Sequence, residues 1–202
     1  MGGASLERCG GALSRVVCGP EPPHRRHAGI TLTWKFAWRH GMIRPMLTPA
    51  TPATRWRCCR VDALTLQELQ YIYMARQQVF CVEQRCAYLD VDGRDETAWH
   101  LAAWSDEQCM PLAYARVLAP GVKYAEPAIG RVLTWGAGRG IGLGRALVQR
   151  AIAQTQAEYP GQGIRLSAQS HLADFYRSEG FRAVGEVYLE DTIPHIEMCR
   201  SG

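Results

Sequence analysis

The sequence predicts an α/β (α+β) domain, and three stretches carry that expectation. Residues 129–134 have strand character and lead straight into Trp135-Gly-Ala-Gly-Arg-Gly-Ile-Gly-Leu-Gly-Arg145. There Leu143, Leu147, Val148, Ala151 and Ile152 take up helical spacing. Residues 99–104 and 112–118 are strand-like runs joined by the polar turn Asp106-Glu107-Gln108, an antiparallel pair. Thr65-Leu-Gln-Glu68 has the form of a capping box opening a helix.

The first helix is expected to pack through Leu66, Leu69, Tyr73, Arg76 and Phe80. The helix after the glycine-rich turn stops at Tyr159-Pro-Gly161, and residues 164–168 supply the partner strand. A short helix from near Ser170 ends at Gly180, a residue suited to the left-handed position after a helix. Residues 181–187 and 195–199 then close the sheet. No repeat or low-complexity tract interrupts this order.

Composition bounds the function. At 202 residues, 47% hydrophobic and 21% charged, the chain has ordinary globular composition. It has no apolar run of the roughly 18 residues a membrane helix needs. The eight cysteines lack an export context and a C-x-x-C pair, so reduced thiols in the cytoplasm are expected. Cys81 and Cys86 lack zinc-knuckle spacing, and His195-Ile-Glu197 lacks the P-C-x-x-C that a zinc deaminase requires, so no metal is expected. Residues 1–45 hold seven basic and two acidic residues, net +5; the remainder holds 16 and 17, net −1. The folded part therefore has no electrostatic case for a nucleic-acid partner. Residues 1–55 are expected to be a disordered tail or an extension upstream of a start at Met46 or Met42, and residues 56–202 the domain.

The glycine-rich turn is an anion site by its chemistry. First-turn amides lack intrahelical partners, the peptide dipoles favour negative charge, and glycine admits a phosphate closely. The dinucleotide pattern G-x-G-x-x-G fails at Leu143 or Arg145, and the triphosphate pattern fails at Arg145-Ala146. The remaining pattern, Arg139-x-x-Gly142-x-Gly144, resembles the pyrophosphate turn of the GCN5-related N-acetyltransferases (GNAT). Downstream, Tyr176-x-x-x-Gly180-Phe181 is similar to the GNAT motif after the fifth strand. Residues 79–84, Cys86, 90–93, 114–117, 129–132, 168–171 and 193–196 resemble the ElaA-like branch, over roughly residues 56–200.

That resemblance implies a GNAT fold: a mixed, mostly antiparallel sheet, flanked by helices, with one splayed strand pair. It implies acetyl-coenzyme A as co-substrate, its arm held by main-chain groups of Val132, Leu133 and Thr134. Gly140, Ile141, Gly142, Leu143 and Gly144 would cradle the pyrophosphate, with charge from Arg139 and Arg145. Gln169 stands where asparagine is common in the family. Tyr176 would be the general acid, protonating the departing sulfur. The acceptor would be a small-molecule amine or a protein amino group. The general base is open among Glu83, Asp92, His100, His171 and His195, with His171 and Glu83 put forward. Asp90-x-Asp92-Gly93-x-Asp95 fails as a calcium loop, because Leu101 occupies the twelfth position, and reads as a rim of the acceptor pocket. An acyl-coenzyme A sensor without turnover stays open, as does an interaction protein using the basic leader. Oligomeric state, a homodimer included, is not fixed by these residues.

Overall fold

The computed structural model describes residues 53–202. The expectations about disorder and an internal start site fall on residues outside that range. Eight strands form one sheet: β1 (Arg55–Arg60), β2 (Trp99–Ser105), β3 (Gln108–Leu118), β4 (Ala128–Thr134), β5 (Ile164–Gln169), β6 (Arg182–Ala183), β7 (Tyr188–Glu190) and β8 (Ile193–Arg200). Three helices accompany them: α1 (Leu66–Arg76), α2 (Leu143–Glu158) and α3 (Ala173–Ser178). The spatial order is β1-β2-β3-β4-β5-β8-β6, with β7 also on β8. Every pairing is antiparallel except β4 with β5. That parallel pair meets only at Ala128 opposite Arg165, where Arg165 N–H also donates to Pro127 O at 3.0 Å. Beyond this point the two strands diverge, as the resemblance implied.

Alternation along the strands builds a core on each face of the sheet, because successive side chains leave on opposite faces. Leu101, Ala103, Ala115 and Val117 join Leu147, Val148, Ala151 and Ile152 of α2, with Tyr176 of α3. Their neighbours Ala102, Trp104, Tyr114 and Leu133 pack on Ile72, Ala75 and Val79 on the α1 side. Among the described residues no helix is long and apolar enough to cross a membrane.

The capping box forms as expected: Thr65 Oγ1 accepts from Glu68 N–H at 3.1 Å, and Glu68 Oε2 accepts from Thr65 N–H at 2.9 Å. Thr65→Ala is expected to cost about 1 kcal/mol, read by thermal unfolding. The packing stripe of α1 differs from the expected one. Ile72, Ala75, Arg76 and Val79 are buried, whereas Leu66 is 88% exposed. Arg76 is buried as the spacing predicts, satisfied by carboxylates, and Tyr73 and Phe80 pack at the border, so the stripe is shifted toward Ile72 and Ala75. The helix also continues as a π-helical segment, Gln77–Glu83, where Gln84 N–H reaches Val79 O at 3.0 Å.

The end of the chain departs further from expectation. Strand 181–187 shrinks to Arg182–Ala183, and a hairpin, β7 with β8, takes the edge of the sheet. Its turn uses Asp191 at φ 47° and Thr192 at φ 70°, two left-handed residues in succession. That geometry is typical of Asn-Gly or Asp-Gly, so Asp-Thr gave no turn signal.

Candidate functional site

Divergence of β4 from β5 opens a cleft of about 400 Å³. Its walls include Ile129, Leu166, Ala168 and Tyr176, which belong to the α2-side core. They also include Arg131, Ser167, Gln169 and His195, from the opposite face of the sheet and its edge. The cleft therefore passes through the sheet. β4 itself is irregular here: register slips between Tyr114–Leu133 and Arg116–Gly130, and Arg131 sits at φ 54°. This bulge bends the strand and re-aims its main chain beside the gap. Trp135 N–H donates to Leu112 O of β3 at 2.8 Å, so alternation turns the main-chain groups of Thr134 and Val132 toward the gap. Leu133 instead points its side chain into the α1-side core.

Tyr176 is 6% exposed, with edge-on rings of Phe175 at 5.0 Å and Phe181 at 5.9 Å. Its hydroxyl has no hydrogen-bond partner among the described residues, and burial pushes its pKa up to about 12. It stays protonated at neutral pH. Across the cleft, Gln169 Nε2 donates to Gln84 Oε1 at 3.2 Å, so its amide ties β5 to the π-helical segment. Phe80 and Gln84 reach the wall from that segment. The wider turn that places them left no mark in the periodicity.

The C-terminal end of β4 runs into the glycine turn. Gly140 and Gly142 adopt φ 75° and 84°, and a Cβ at either would meet no protein atom within 4 Å. Hydrogen bonds resume with Arg145 and Ala146 N–H to Gly142 O, at 3.1 and 3.2 Å. Among the described residues, the amides of Gly140, Ile141, Gly142, Leu143 and Gly144 have no partner. Five consecutive free amides at the start of a sixteen-residue helix suit a diphosphate. Gly138 does different work, since a Cβ there would collide with the main-chain carbonyl of Leu112.

The two arginines are already engaged. Arg139 donates through Nε to Thr134 O at 3.0 Å and through Nη2 to Glu83 at 2.5 Å, pinning the turn to β4 and to the π-helical segment. Arg145 is bound to Glu179 and donates to Ser178 Oγ at 3.1 Å. Neither guanidinium is a free charge beside the amides.

The acidic loop is a structural clamp. Arg76 binds Asp90 and Asp95, each at 2.7 Å. Arg116 holds both oxygens of Asp92 at 2.7 and 2.8 Å and reaches Asp95 at 3.0 Å. Arg131 lies 2.6 Å from Asp90. Three buried or half-buried arginines thus balance three aspartates and fix the loop at one side of the cleft, where Asp92 and Arg94 line the wall. Asp95→Ala would take one carboxylate from both Arg76 and Arg116, leaving three guanidinium charges against two aspartates, and is expected to cost about 3–5 kcal/mol in chemical denaturation.

Acid should unfold the domain through the same groups. Hydrogen bonds and charge from the arginines hold Asp92 and Asp95 below the usual carboxylate range, outweighing desolvation. Burial lowers His100. The unfolded chain therefore binds more protons, and stability is lost as pH falls, first below about 6.5 and then more steeply below about 4.

Most base candidates are placed elsewhere. Glu83, put forward from the sequence, is held by Arg139 and is absent from the cleft wall. His171, the other, is exposed in the turn before α3 and is also absent from the wall. Ser170–Leu172 is a 3₁₀ turn with three residues per turn, so Gln169 and Leu172 share the side that faces the cleft and His171 does not. His100 is 1% exposed with both nitrogens bonded, Nε2 donating to Asp95 O and Nδ1 accepting from Tyr114, each at 2.9 Å. Asp92 is spent on Arg116. His195 does line the cleft, as does Glu190, which the sequence reading missed with its hairpin. Among the described residues no cluster of metal-ligating side chains forms.

Relatives share this architecture. The acetyltransferase (GNAT) domain family matches residues 89–201. A UPF0039 protein of Synechocystis sp. is 42% identical over 143 residues, 71% of this chain and 92% of that protein. An acyl-CoA N-acyltransferase from Pseudomonas aeruginosa superposes with a TM-score of 0.70 at 44% identity, over 74% of this chain and all of that one. ElaA of Escherichia coli superposes at 0.69 with 36% identity, over the same shares. With Tyr176 on the wall between the splayed strands and the amide turn following β4, and with these relatives covering most of the chain, the chain belongs to the GNAT superfamily of acyltransferases, in its ElaA-like branch.

Proposed function

We propose that this acyltransferase moves an acetyl group from acetyl-coenzyme A to an amine, carried by a small molecule or a protein, by direct attack on the thioester. The carrying observation is the unpartnered hydroxyl of Tyr176, a residue only 6% exposed, on the wall of a cleft that passes between β4 and β5. The diphosphate would sit on the amides of Gly140 to Gly144, and the pantetheine arm would run back along β4. Val132 and the Thr134 N–H would bond it as a false strand; the Thr134 carbonyl is taken by Arg139. The thioester then lies over the gap, with Tyr176 on the α2 side. Its hydroxyl donates a proton to the sulfur as the carbon–sulfur bond breaks. An amide at the bulged strand would polarise the carbonyl.

Calorimetry with acetyl-coenzyme A, paired with thiol release against polyamines, amino acids, aminoglycosides and peptides, tests this reading. Binding with acceptor-dependent release is expected. Binding without release from any acceptor would favour a sensor, and no binding would overturn the assignment of the amide turn.

A further inference from the structure

We infer that His195 is the general base of the reaction, taking the acceptor's proton through Nε2 from the side of the sheet opposite Tyr176. This rests on the acyl-transfer reading and adds the group it lacks, since β4 offers no carboxylate or histidine. His195 Nδ1 lies 2.8 Å from Ile193 O. A carbonyl only accepts, so Nδ1 carries the hydrogen. In the neutral ring Nε2 then holds the lone pair. No described residue bonds to that nitrogen, and the ring lines the cleft. The local hydrogen bond fixes the tautomer that leaves the base bare.

Topology puts this nitrogen at the reacting level. His195 pairs with Gln169 of β5 and with Tyr188 of β7, so the three side chains share a row on one face. Gln169 closes the row onto Gln84. Tyr176 enters from the α2-side core just past the end of β5. A thioester in the gap has its sulfur near the phenol and its other face near the imidazole. The competing carboxylate, Glu190, is already engaged by hydroxyls of the same row: its Oε2 lies 3.1 Å from Ser167 Oγ and 3.3 Å from the Tyr188 hydroxyl, which are themselves 2.6 Å apart.

The proton account closes. The amine nitrogen bonds to the carbonyl carbon and yields its proton to Nε2. The carbon–sulfur bond breaks, and Tyr176 gives its proton to sulfur. Amide and free thiol leave, and proton exchange through solvent returns imidazolium and phenolate to their starting forms.

The charged groups that share the cleft with His195 are Asp92, Glu190 and Asp191 and the bases Arg94, Arg116, Lys123 and Arg131, with Arg116 paired to Asp92. Burial raises Tyr88, Tyr124, Tyr176, Tyr188 and Cys86, so these stay uncharged near neutrality. A base works only while unprotonated, so an acid limb that follows His195 is expected.

Long-range proton–nitrogen NMR on full-length protein with labelled histidine, at about pH 8, reads the tautomer without any acceptor. Nδ1–H with bare Nε2 is expected; Nε2–H overturns the proposal. His195→Gln and Glu190→Gln are then compared with wild type for acetyl-coenzyme A binding and for thiol release between about pH 5.5 and 9. The acceptor is the best amine of the panel, or water where no amine is turned over. His195→Gln should bind normally, lose about 10²–10⁴-fold in kcat/KM and lose the acid limb, while Glu190→Gln keeps it. A His195→Gln protein that retains rate and limb, or loss of the limb in Glu190→Gln instead, overturns the assignment. Failure of the wild type to bind acetyl-coenzyme A would instead bring down the acyl-transfer reading itself.

Discussion

Gly142→Val is expected to abolish coenzyme A binding while leaving the domain folded. Gly142 sits at φ 84° before the first turn of α2, in the middle of five unpartnered amides. No protein atom lies within 4 Å of the Cβ that valine would add, so the protein's own packing does not resist the change. The backbone does. A β-branched residue in the left-handed region costs about 1–3 kcal/mol, and relaxing that strain rotates the flanking amides away from a common centre. The side chain also stands where the phosphates would approach. Losing one or two charge-assisted hydrogen bonds of about 1.5–3 kcal/mol each should raise the dissociation constant by about 10- to 10⁴-fold, before the clash of the valine side chain with the phosphates is added. Gly161→Val is the matched control: it has φ 73°, equally open space, and a place at the far end of α2. Both variants should lose similar stability in chemical denaturation, and only Gly142→Val should lose ligand in calorimetry. Normal binding by Gly142→Val would remove the diphosphate from this turn.

The residues that the sequence made legible share a cause. The amide turn and the end of α3 are set by local backbone geometry, and glycine at 140, 142 and 180 records it directly in positive φ. The capping box is equally local, since both hydrogen bonds fall within four residues. What was missed depends on contacts distant in sequence. Ile72 and Ala75 flank Arg76 on the buried face of α1 because Asp90 and Asp95 come back to neutralise its charge, while Leu66 is left exposed. Glu83 looked free for catalysis until Arg139, 56 positions later, folded onto it. The β7–β8 hairpin hid behind a turn with no glycine, and Glu190 went with it. His195 was one candidate among five; only the carbonyl of Ile193 shows which of its nitrogens is bare.

Tyr176→Phe should leave folding and coenzyme A affinity intact and slow thiol release by about 10²–10⁴-fold, roughly 3–5 kcal/mol of barrier. Phenylalanine keeps the ring that packs edge-on against Phe175 and Phe181 and deletes only the oxygen. That oxygen has no partner to strand, so its removal carries no unfolding penalty of the kind that follows a broken buried pair. The pH dependence follows from the raised pKa of about 12. An acid works only while protonated, so its contribution is complete at neutral pH and is lost as pH rises through that value. The wild type should therefore show no alkaline limb from this group below about pH 11. A fall in kcat with binding unchanged would mean that the hydroxyl acts only in the transition state. A matching loss of affinity would reduce Tyr176 to a wall of the pocket, and an unchanged rate would leave sulfur to be protonated by water. The outcome separates a cleft that only holds a thioester from one that breaks it.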